Sequence, residues 1–326
     1  MNEERPDPSL LSPPMRALME KMAAEFGPLP DATLLPPAEG RALSARLNEK
    51  RNVNLPAMMS EAEVWVPADT TLGSAPCRMR ILTPENAGSG TILFVHGGGF
   101  AFCSPETHER CARVLAIEAG MAVAMPDYRL APEHPFPSGL RDVVACLRAL
   151  LNGRIEGISA KPLLIAGDSA GANLALASML HEQTDAQSLP NGALLFYGNF
   201  SADLTGASYA RFDNGPGLTI AKMERYWQWY AGDRDISGDP LACPLVASDD
   251  TLLRMPQLYL MAAGVDPLYS DTLMLHERLQ NLGRRDDLDI VPGVIHGFLQ
   301  NTNELEEARA ALRRAGKAAR RMIHRT

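Results

Sequence analysis

A serine between small residues follows an apolar run and precedes a helical segment. The motif GDSAG at 167–171 comes directly after the apolar run 163–166, and an alanine- and leucine-rich stretch follows it. A strand that turns sharply into a helix holds a serine in a strained conformation and exposes its hydroxyl. The two glycines fit such a turn because side chains at their positions would be crowded. Ser169 is therefore a candidate nucleophile; the alternative is a small-residue turn that only packs a helix on a sheet.

Three successive glycines follow a second apolar run, 91–95, in the motif HGGGF at 96–100. Glycines let several backbone N–H groups turn toward one point, which suits the oxyanion of a tetrahedral intermediate. A phosphate-binding nest is the rival interpretation. It is disfavoured because neither a Lys-Ser/Thr pair nor a helical pattern follows the glycines. We interpret His96 as a structural residue that braces this loop.

A serine hydroxyl is a weak nucleophile that needs a base, and the base needs an acid to orient it. Among seven histidines, His296 alone lies just past the end of a late apolar strand. Asp266 also lies just past a strand, whereas Asp271 falls five residues later, on the expected start of a helix. These placements predict His296 as the base and Asp266 as the acid, with Asp271 as the alternative acid.

The elements that position these residues follow from the hydrophobic pattern. Two alternating segments, 64–66 and 77–82, predict half-exposed edge strands. Six short apolar runs then alternate with helical segments between 91 and 291, which is typical of a parallel sheet covered on both faces. The sequence predicts an α/β protein with a mostly parallel eight-stranded sheet flanked by helices. Ser169, Asp266, His296 and the glycine loop would then share one sheet edge, where ligands of open α/β folds bind.

Five motifs together resemble the hormone-sensitive-lipase-like family (family IV) of carboxylesterases in the α/β-hydrolase superfamily. They are HGGGF at 96–100, YRLAPE at 128–133, GDSAG at 167–171, DPL at 266–268 and HGF at 296–298, within a resemblance that spans about 60–300. In many members the residues Arg-Asp-Glu follow the DPL motif, whereas in this chain Tyr269-Ser270-Asp271 follow it. We expect Arg129 and Glu133 of the YRLAPE motif to brace a loop under the site and not to contact substrate.

The resemblance implies the α/β-hydrolase fold and a role for each site residue. Ser169 would be the nucleophile, His296 the general base and then acid, and Asp266 the acid that orients it. The N–H groups of Gly98, Gly99 and Ala170 would form the oxyanion hole. Residues 1–326 would form a single domain, with a helical cap built from about 1–55 and an insertion at about 201–256.

The predicted function is hydrolysis of carboxylic esters with short acyl chains. Short chains are expected because both cap segments interleave apolar and charged residues and offer no long apolar surface for a lipid interface. An amide or carbamate hydrolase with the same triad is the alternative. A non-catalytic small-molecule receptor on this fold is disfavoured because His296 is present. Four aromatic residues of the insertion are equally compatible with a pocket wall and with packing: Tyr226, Trp227, Trp229 and Tyr230.

Composition excludes several other classes of function. The chain has 31 Lys+Arg against 39 Asp+Glu, and a net charge of −8 argues against a duplex nucleic-acid partner. Neither a membrane-spanning apolar run nor a signal-peptide pattern in residues 1–8 is found. Five cysteines without CxxC spacing indicate reduced thiols and a cytoplasmic protein. We expect no cofactor or metal and a small-molecule ester as partner; a homodimer is compatible with the sequence.

Overall fold

A computed structural model describes residues 8–28 and 30–324, and within them eight strands form one sheet in the order β1-β2-β4-β3-β5-β6-β7-β8. The strands are β1 (Ser60–Val66), β2 (Cys77–Thr83), β3 (Thr91–Val95), β4 (Ala122–Pro126), β5 (Leu163–Asp168), β6 (Gly192–Phe196), β7 (Gln257–Val265) and β8 (Asp287–Ile295). Positions 1–7, 29 and 325–326 lie outside the described residues. The predicted domain 1–326 includes all of them, and the predicted cap segment 1–55 includes 1–7 and 29. The statement on a signal peptide concerns residues 1–8, of which the first seven are not described.

The sheet is parallel from β3 to β8, while β1 and β2 are antiparallel to their neighbours. Every residue of β3, β4, β5 and β6 is buried, as expected for parallel strands covered on both faces. The two alternating segments form β1 and β2, but neither is half-exposed as predicted: β1, at the sheet edge, is exposed along most of its length, and β2, between β1 and β4, is mostly buried. Each predicted run overlaps one strand, and the prediction of a mostly parallel eight-stranded sheet is confirmed.

Helices cover both faces of the sheet. They are α1 (Pro13–Phe26), α2 (Pro37–Glu49), α3 (Glu109–Ala119), α4 (Ser138–Leu151), α5 (Ala170–Thr184), α6 (Ala207–Arg211), α7 (Ile220–Ala231), α8 (Asp249–Leu253), α9 (Tyr269–Asn281) and α10 (Glu306–Ile323). Alternate residues of β3 point to opposite sides: Leu93 packs in a core with α4, α5 and α9, and Phe94 packs in a core with α1, α3 and α10. Within the described residues no helix is both long and apolar enough to span a membrane.

Two segments outside the strand–helix repeat contact each other. The first carries α1 and α2; the second is the insertion between β6 and β7, which carries α6, α7 and α8. Arg225 on α7 joins them, since its guanidinium lies 2.6 Å from the Asp31 carboxylate and donates to the Thr33 hydroxyl at 2.6 Å. These are the segments from which the family resemblance implied a helical cap.

Candidate active site

Ser169 occupies a sharp turn between β5 and α5. Its φ of 55° and ψ of −124° lie outside the regions that most residues adopt. The turn is crowded: a Cβ at Gly167 would clash with the carbonyl of Gly171, and a Cβ at Gly171 would clash with the carbonyl oxygen of Val95. The Ser169 N–H donates to the Phe196 carbonyl at 2.9 Å. Only glycine fits at both flanking positions, which is the physical reason for the sequence motif.

His296 joins Ser169 to Asp266. It follows the last residue of β8, its Nε2 lies 2.9 Å from Ser169 Oγ, and its Nδ1 lies 2.7 Å from Asp266 Oδ2. Asp266 is fully buried, and its other oxygen accepts the Leu268 N–H at 2.9 Å. A carboxylate that accepts from Nδ1–H leaves Nε2 as the acceptor for the serine proton. The three side chains therefore have the geometry of a proton-transfer chain.

Asp271, the alternative acid, faces away from this chain. One of its oxygens accepts the N–H groups of Phe200 and Ser201 at 2.8 and 3.0 Å, and the other accepts the Tyr209 hydroxyl at 2.8 Å. Burial raises the pKa of Asp271 to about 7 in spite of these three donors. Asp271 therefore anchors the start of the insertion, and the structure pairs the candidate base with Asp266.

The residue before Asp271 also ties the acid-bearing loop to the insertion. Ser270 Oγ lies 2.8 Å from Ser208 Oγ on α6 and accepts the Ser208 N–H at 3.1 Å. The Ser270 N–H in turn donates to the Ser208 hydroxyl at 2.9 Å. In this chain, the segment Tyr269-Ser270-Asp271, which stands where many family members have Arg-Asp-Glu, is therefore held to α6 by reciprocal hydrogen bonds between Ser270 and Ser208.

The glycine loop lies beside Ser169 with its backbone donors available. Gly98 and Gly99 have φ values of 115° and 59°, and both line the same cavity as Ser169. The N–H groups of Gly98, Gly99 and Ala170 make no hydrogen bond within the described part of the chain. Donors that are fixed and unoccupied suit an anionic oxygen that forms beside the serine.

An acid–histidine pair that the sequence analysis missed holds this loop. Asp168 Oδ1 accepts the Gly97 N–H at 2.9 Å and lies 3.3 Å from His108 Nε2. Burial alone would raise the pKa of Asp168, but attraction to His108 and these hydrogen bonds hold it below its usual value. Asp168 lies in the GDSAG motif, so an acidic residue next to the candidate nucleophile could have been noticed from the sequence. Nothing local in the sequence linked His108 to it.

His96 braces the loop from below. Its ring is fully buried, stacks on Tyr128 at a centroid distance of 4.3 Å, and has Nδ1 2.9 Å from the Gly97 carbonyl oxygen. The Tyr128 hydroxyl donates to the His96 carbonyl at 2.8 Å. Burial lowers the pKa of His96 to about 3, so its ring is neutral. These contacts agree with the structural interpretation of His96.

The two charged residues of the YRLAPE motif do not line the cavity. Arg129 forms an ion pair with Asp142 at 2.8 Å, and its backbone N–H donates to the same carboxylate. Glu133 pairs at 2.5 Å with Arg41 on α2. As expected, both residues connect parts of the scaffold, and Glu133 connects it to the N-terminal segment.

A cavity of about 390 Å³ opens over Ser169. Its walls come from the glycine loop, from α1 and α2, and from the insertion. Tyr226 lines it, whereas Trp227 and Tyr230 are buried against Phe100, with ring centroids 5.5 and 3.7 Å away. Trp229 packs near Phe102. The four aromatic residues of α7 are thus divided: one borders the cavity and three serve packing. The other large apolar wall residues are Met15, Met19, Met22, Leu218, Met223 and Ile295.

One group of potential metal ligands occurs among the described residues, at the end of α5. The ligand atoms of His181, Glu182 and Asp185 lie within 4.8 Å of one another. Arg148 forms ion pairs with both carboxylates, at 2.7 and 2.9 Å. None of the three residues lines the cavity over Ser169. We interpret this group as a salt-bridge cluster.

Comparison with known proteins gives one family and several esterases. A family model described as the alpha/beta hydrolase fold matches residues 92–300. Esterase LipI of Mycobacterium tuberculosis is 31% identical over 244 residues, which are 74% of this chain and 75% of that protein. An ester-hydrolase from the metagenome of Lake Arreo, solved with a derivative of bipyridine phosphonate, is 30% identical with a TM-score of 0.87, covering 95% of this chain and 98% of that one. A hyperthermophilic esterase from the archaeon Pyrobaculum calidifontis is 28% identical with a TM-score of 0.85, covering 96% and 98%.

The matched residues begin in β3 and end beyond His296. They therefore include the glycine loop, Ser169, Asp266 and His296. The family resemblance inferred from the motifs is confirmed. The chain belongs to the α/β-hydrolase family, in the hormone-sensitive-lipase-like branch that its motifs indicated.

Proposed function

We propose that this protein is a carboxylesterase with Ser169 as nucleophile, His296 as base and Asp266 as the acid that orients the base. The observation that carries the proposal is the chain of two hydrogen bonds, 2.9 and 2.7 Å long, at the base of a cavity. The N–H groups of Gly98, Gly99 and Ala170 have no partners among the described residues; the two glycines line the same cavity, and Ala170 directly follows Ser169. Esterases among the relatives of this chain support the same reaction class.

In the proposed mechanism, Ser169 Oγ attacks the ester carbonyl carbon while His296 Nε2 takes its proton. The oxygen of the tetrahedral intermediate accepts hydrogen bonds from the N–H groups of Gly98, Gly99 and Ala170. The intermediate collapses, the C–O bond to the alcohol breaks, and the alcohol takes the proton from His296. Water then attacks the acyl-enzyme with His296 as base, which releases the acid and restores the serine.

Stoichiometric titration with a p-nitrophenyl phosphonate tests the reaction class. A serine esterase releases one p-nitrophenolate per protein chain and loses its activity in parallel. The control is the same protein with Ser169 replaced by Ala, which should release none above the uncatalysed background. A receptor on this fold would bind the reagent without a burst, and that result would refute the proposal.

Amide hydrolysis is the alternative activity, because the same triad cleaves both bonds. We favour esters because the named relatives are esterases. Matched p-nitrophenyl butyrate and butyryl p-nitroanilide separate the two cases. A higher kcat/KM for the anilide would show that the amidase interpretation is the better one.

We further propose that α1 and α2, together with the insertion, act as a cap that limits acyl length. The cavity of about 390 Å³ is near the small end of ligand pockets, which span about 300–1,000 Å³. Additional methylenes gain burial only until they reach the methionine-rich wall. kcat/KM across p-nitrophenyl acetate, butyrate, octanoate, dodecanoate and palmitate should peak at octanoate or below. A maximum at dodecanoate or beyond would contradict the short-acyl proposal.

A further inference from the structure

A guanidinium group borders the cavity over Ser169. Arg51 follows α2 in a short helical turn, Lys50–Asn52, and lines the cavity together with the glycine loop and His296. Its Nη1 donates to the Asn48 side-chain oxygen at 2.9 Å. Its Nε is buried and has no hydrogen-bond partner in the described part of the chain. Arg51 is the one arginine or lysine among the cavity-lining residues that the structure describes.

The acidic groups near Arg51 are already engaged by other residues. Asp168, the one carboxylate that lines the same cavity among the described residues, pairs with His108 and accepts the Gly97 N–H. Glu25 and Glu304 lie beside a smaller adjoining cavity that Arg51 also borders. Their ion-pair partners are Lys50 and Lys21, respectively. No described carboxylate lies within ion-pair distance of the Arg51 guanidinium.

The backbone that carries Arg51 is held firmly in place. Arg110, a buried residue of α3, donates from its guanidinium to the carbonyl oxygens of Arg51 and Val53, and to that of Asn54 at 2.7 Å. Burial lowers the pKa of Arg51, but an arginine stays protonated in proteins. A fixed, partly desolvated cation without a counter-charge is costly for the fold unless a ligand supplies that charge.

We propose that Arg51 binds an anionic group of the substrate, so that the preferred substrates are esters that also carry a carboxylate. This inference rests on the proposed esterase function and names the substrate class of the same cavity. Guanidinium and carboxylate pair through two parallel hydrogen bonds, the geometry that arginine favours. No other arginine or lysine lines the cavity among the described residues, and the methionine-rich part of the wall can accommodate the methylenes between the ester and the carboxylate.

The test compares charged and neutral esters of equal length. For a carboxylate in the acyl half, the pair is mono-p-nitrophenyl adipate and p-nitrophenyl hexanoate. For a carboxylate in the alcohol half, the pair is p-(2-carboxyethyl)phenyl acetate and p-propylphenyl acetate. The measured quantity is the ratio of kcat/KM, charged over neutral, after correction for uncatalysed hydrolysis. We expect this ratio to exceed one in one of the two pairs, which identifies the half of the substrate that faces Arg51.

Arg51→Met should lower that ratio by roughly 10- to 100-fold, as expected for the loss of a hydrogen-bonded charge pair. Arg46→Met is the matched control. It removes the same charge from the exposed side of α2, away from the cavity, and should leave the ratio unchanged. Thermal unfolding checks that each variant folds. If Arg51→Met does not fold, Arg51→Gln removes the charge while keeping a donor for Asn48.

Two results would overturn the inference. One is a wild-type ratio at or below one in both pairs; the other is a ratio that Arg51→Met or Arg51→Gln leaves unchanged. Rapid hydrolysis of the neutral esters in either case would leave the esterase proposal intact. Absence of hydrolysis of all four esters by the wild-type protein would instead refute the esterase proposal, and the substrate inference with it.

Discussion

The sheet edge that carries Ser169 and the cavity wall opposite it are built in different ways. Along the edge, Ser169, Asp266 and His296 follow the last residues of the parallel strands β5, β7 and β8, so backbone pairing places them. Along the wall, α1, α2 and α7 are held by side-chain contacts between residues far apart in sequence, such as Arg225 with Asp31. The positions along the edge are thus determined by hydrogen bonds between the backbones of the strands. The positions along the wall are determined by contacts between side chains that are distant in sequence.

The contrast indicates that the chemistry and the substrate range of this protein are separable. A change at the edge should remove catalysis and leave binding and stability nearly intact. A change in the wall should alter which ester binds, or how tightly, and leave the chemical step in place. The following four substitutions test this division, from the largest expected effect to the smallest.

Ser169→Ala should lower kcat by about 10⁶, the loss measured for removal of a triad nucleophile in a serine hydrolase. The thermal unfolding midpoint should change little, because the one hydrogen bond that the hydroxyl makes among the described residues is to His296. kcat on p-nitrophenyl butyrate is the measurement, and Ser237→Ala, an exposed serine of the insertion, is the control. Wild-type activity in purified Ser169→Ala would disprove the proposed mechanism.

Asp266→Asn should lower kcat by roughly 10⁴, because an amide stabilises the wrong tautomer of the histidine. Asp271→Asn should cost less than about tenfold, since Asp271 contacts the insertion and not His296. Both substitutions replace a buried aspartate by asparagine, at positions five residues apart. If their effects on kcat were reversed, Asp271 would be the acid and the contact seen for Asp266 would not be the catalytic one.

Arg41→Met should affect binding more than chemistry. Arg41 donates to the carbonyl oxygens of Ala101 at 2.8 Å and Ala131 at 2.9 Å, and thereby ties α2 to the segment after the glycine loop. Loss of these charged hydrogen bonds loosens α2, and we expect KM to rise by about tenfold with kcat nearly constant.

The control for Arg41 is Glu133→Gln. This variant removes only the half-exposed ion pair, which contributes little, and keeps both carbonyl contacts. It should change KM by less than about twofold. Steady-state kinetics on one neutral ester measures both variants. A fall in kcat with constant KM in Arg41→Met would show that the wall and the edge are coupled.

Asp271→Asn should also change how stability depends on pH. The pKa of Asp271 is raised to about 7 by burial, above the usual value of 3.8 that the unfolded chain would show. Between these values the folded state holds a proton that the unfolded state has lost, so stability falls as pH rises from about 4 to about 7. Asn cannot ionise, so the variant should lose this part of the pH dependence. The unfolding midpoints at pH 5 and pH 8 should lie closer together in the variant than in the wild-type protein. If the difference between the two midpoints were unchanged, Asp271 would not be the source of this pH dependence.

The sequence by itself determined the sheet and the turn that carries Ser169. Fully apolar runs predict buried parallel strands because both faces of such strands are covered. The glycines around Ser169 follow from crowding within a few residues, a constraint that local sequence expresses directly.

Only the tertiary structure decided which groups meet across the chain. Asp266 and Asp271 both follow a strand within six residues of its end, and their partners differ because the backbone after β7 directs one side chain toward β8 and the other toward the insertion. Tyr226 borders the cavity while Trp227, one residue later, turns into the core. Arg51 is separated from Ser169 by more than a hundred residues, and its place in the cavity depends on Arg110 of a different helix. Such contacts are set by packing between elements, and the periodicity of any single element carries no information about them.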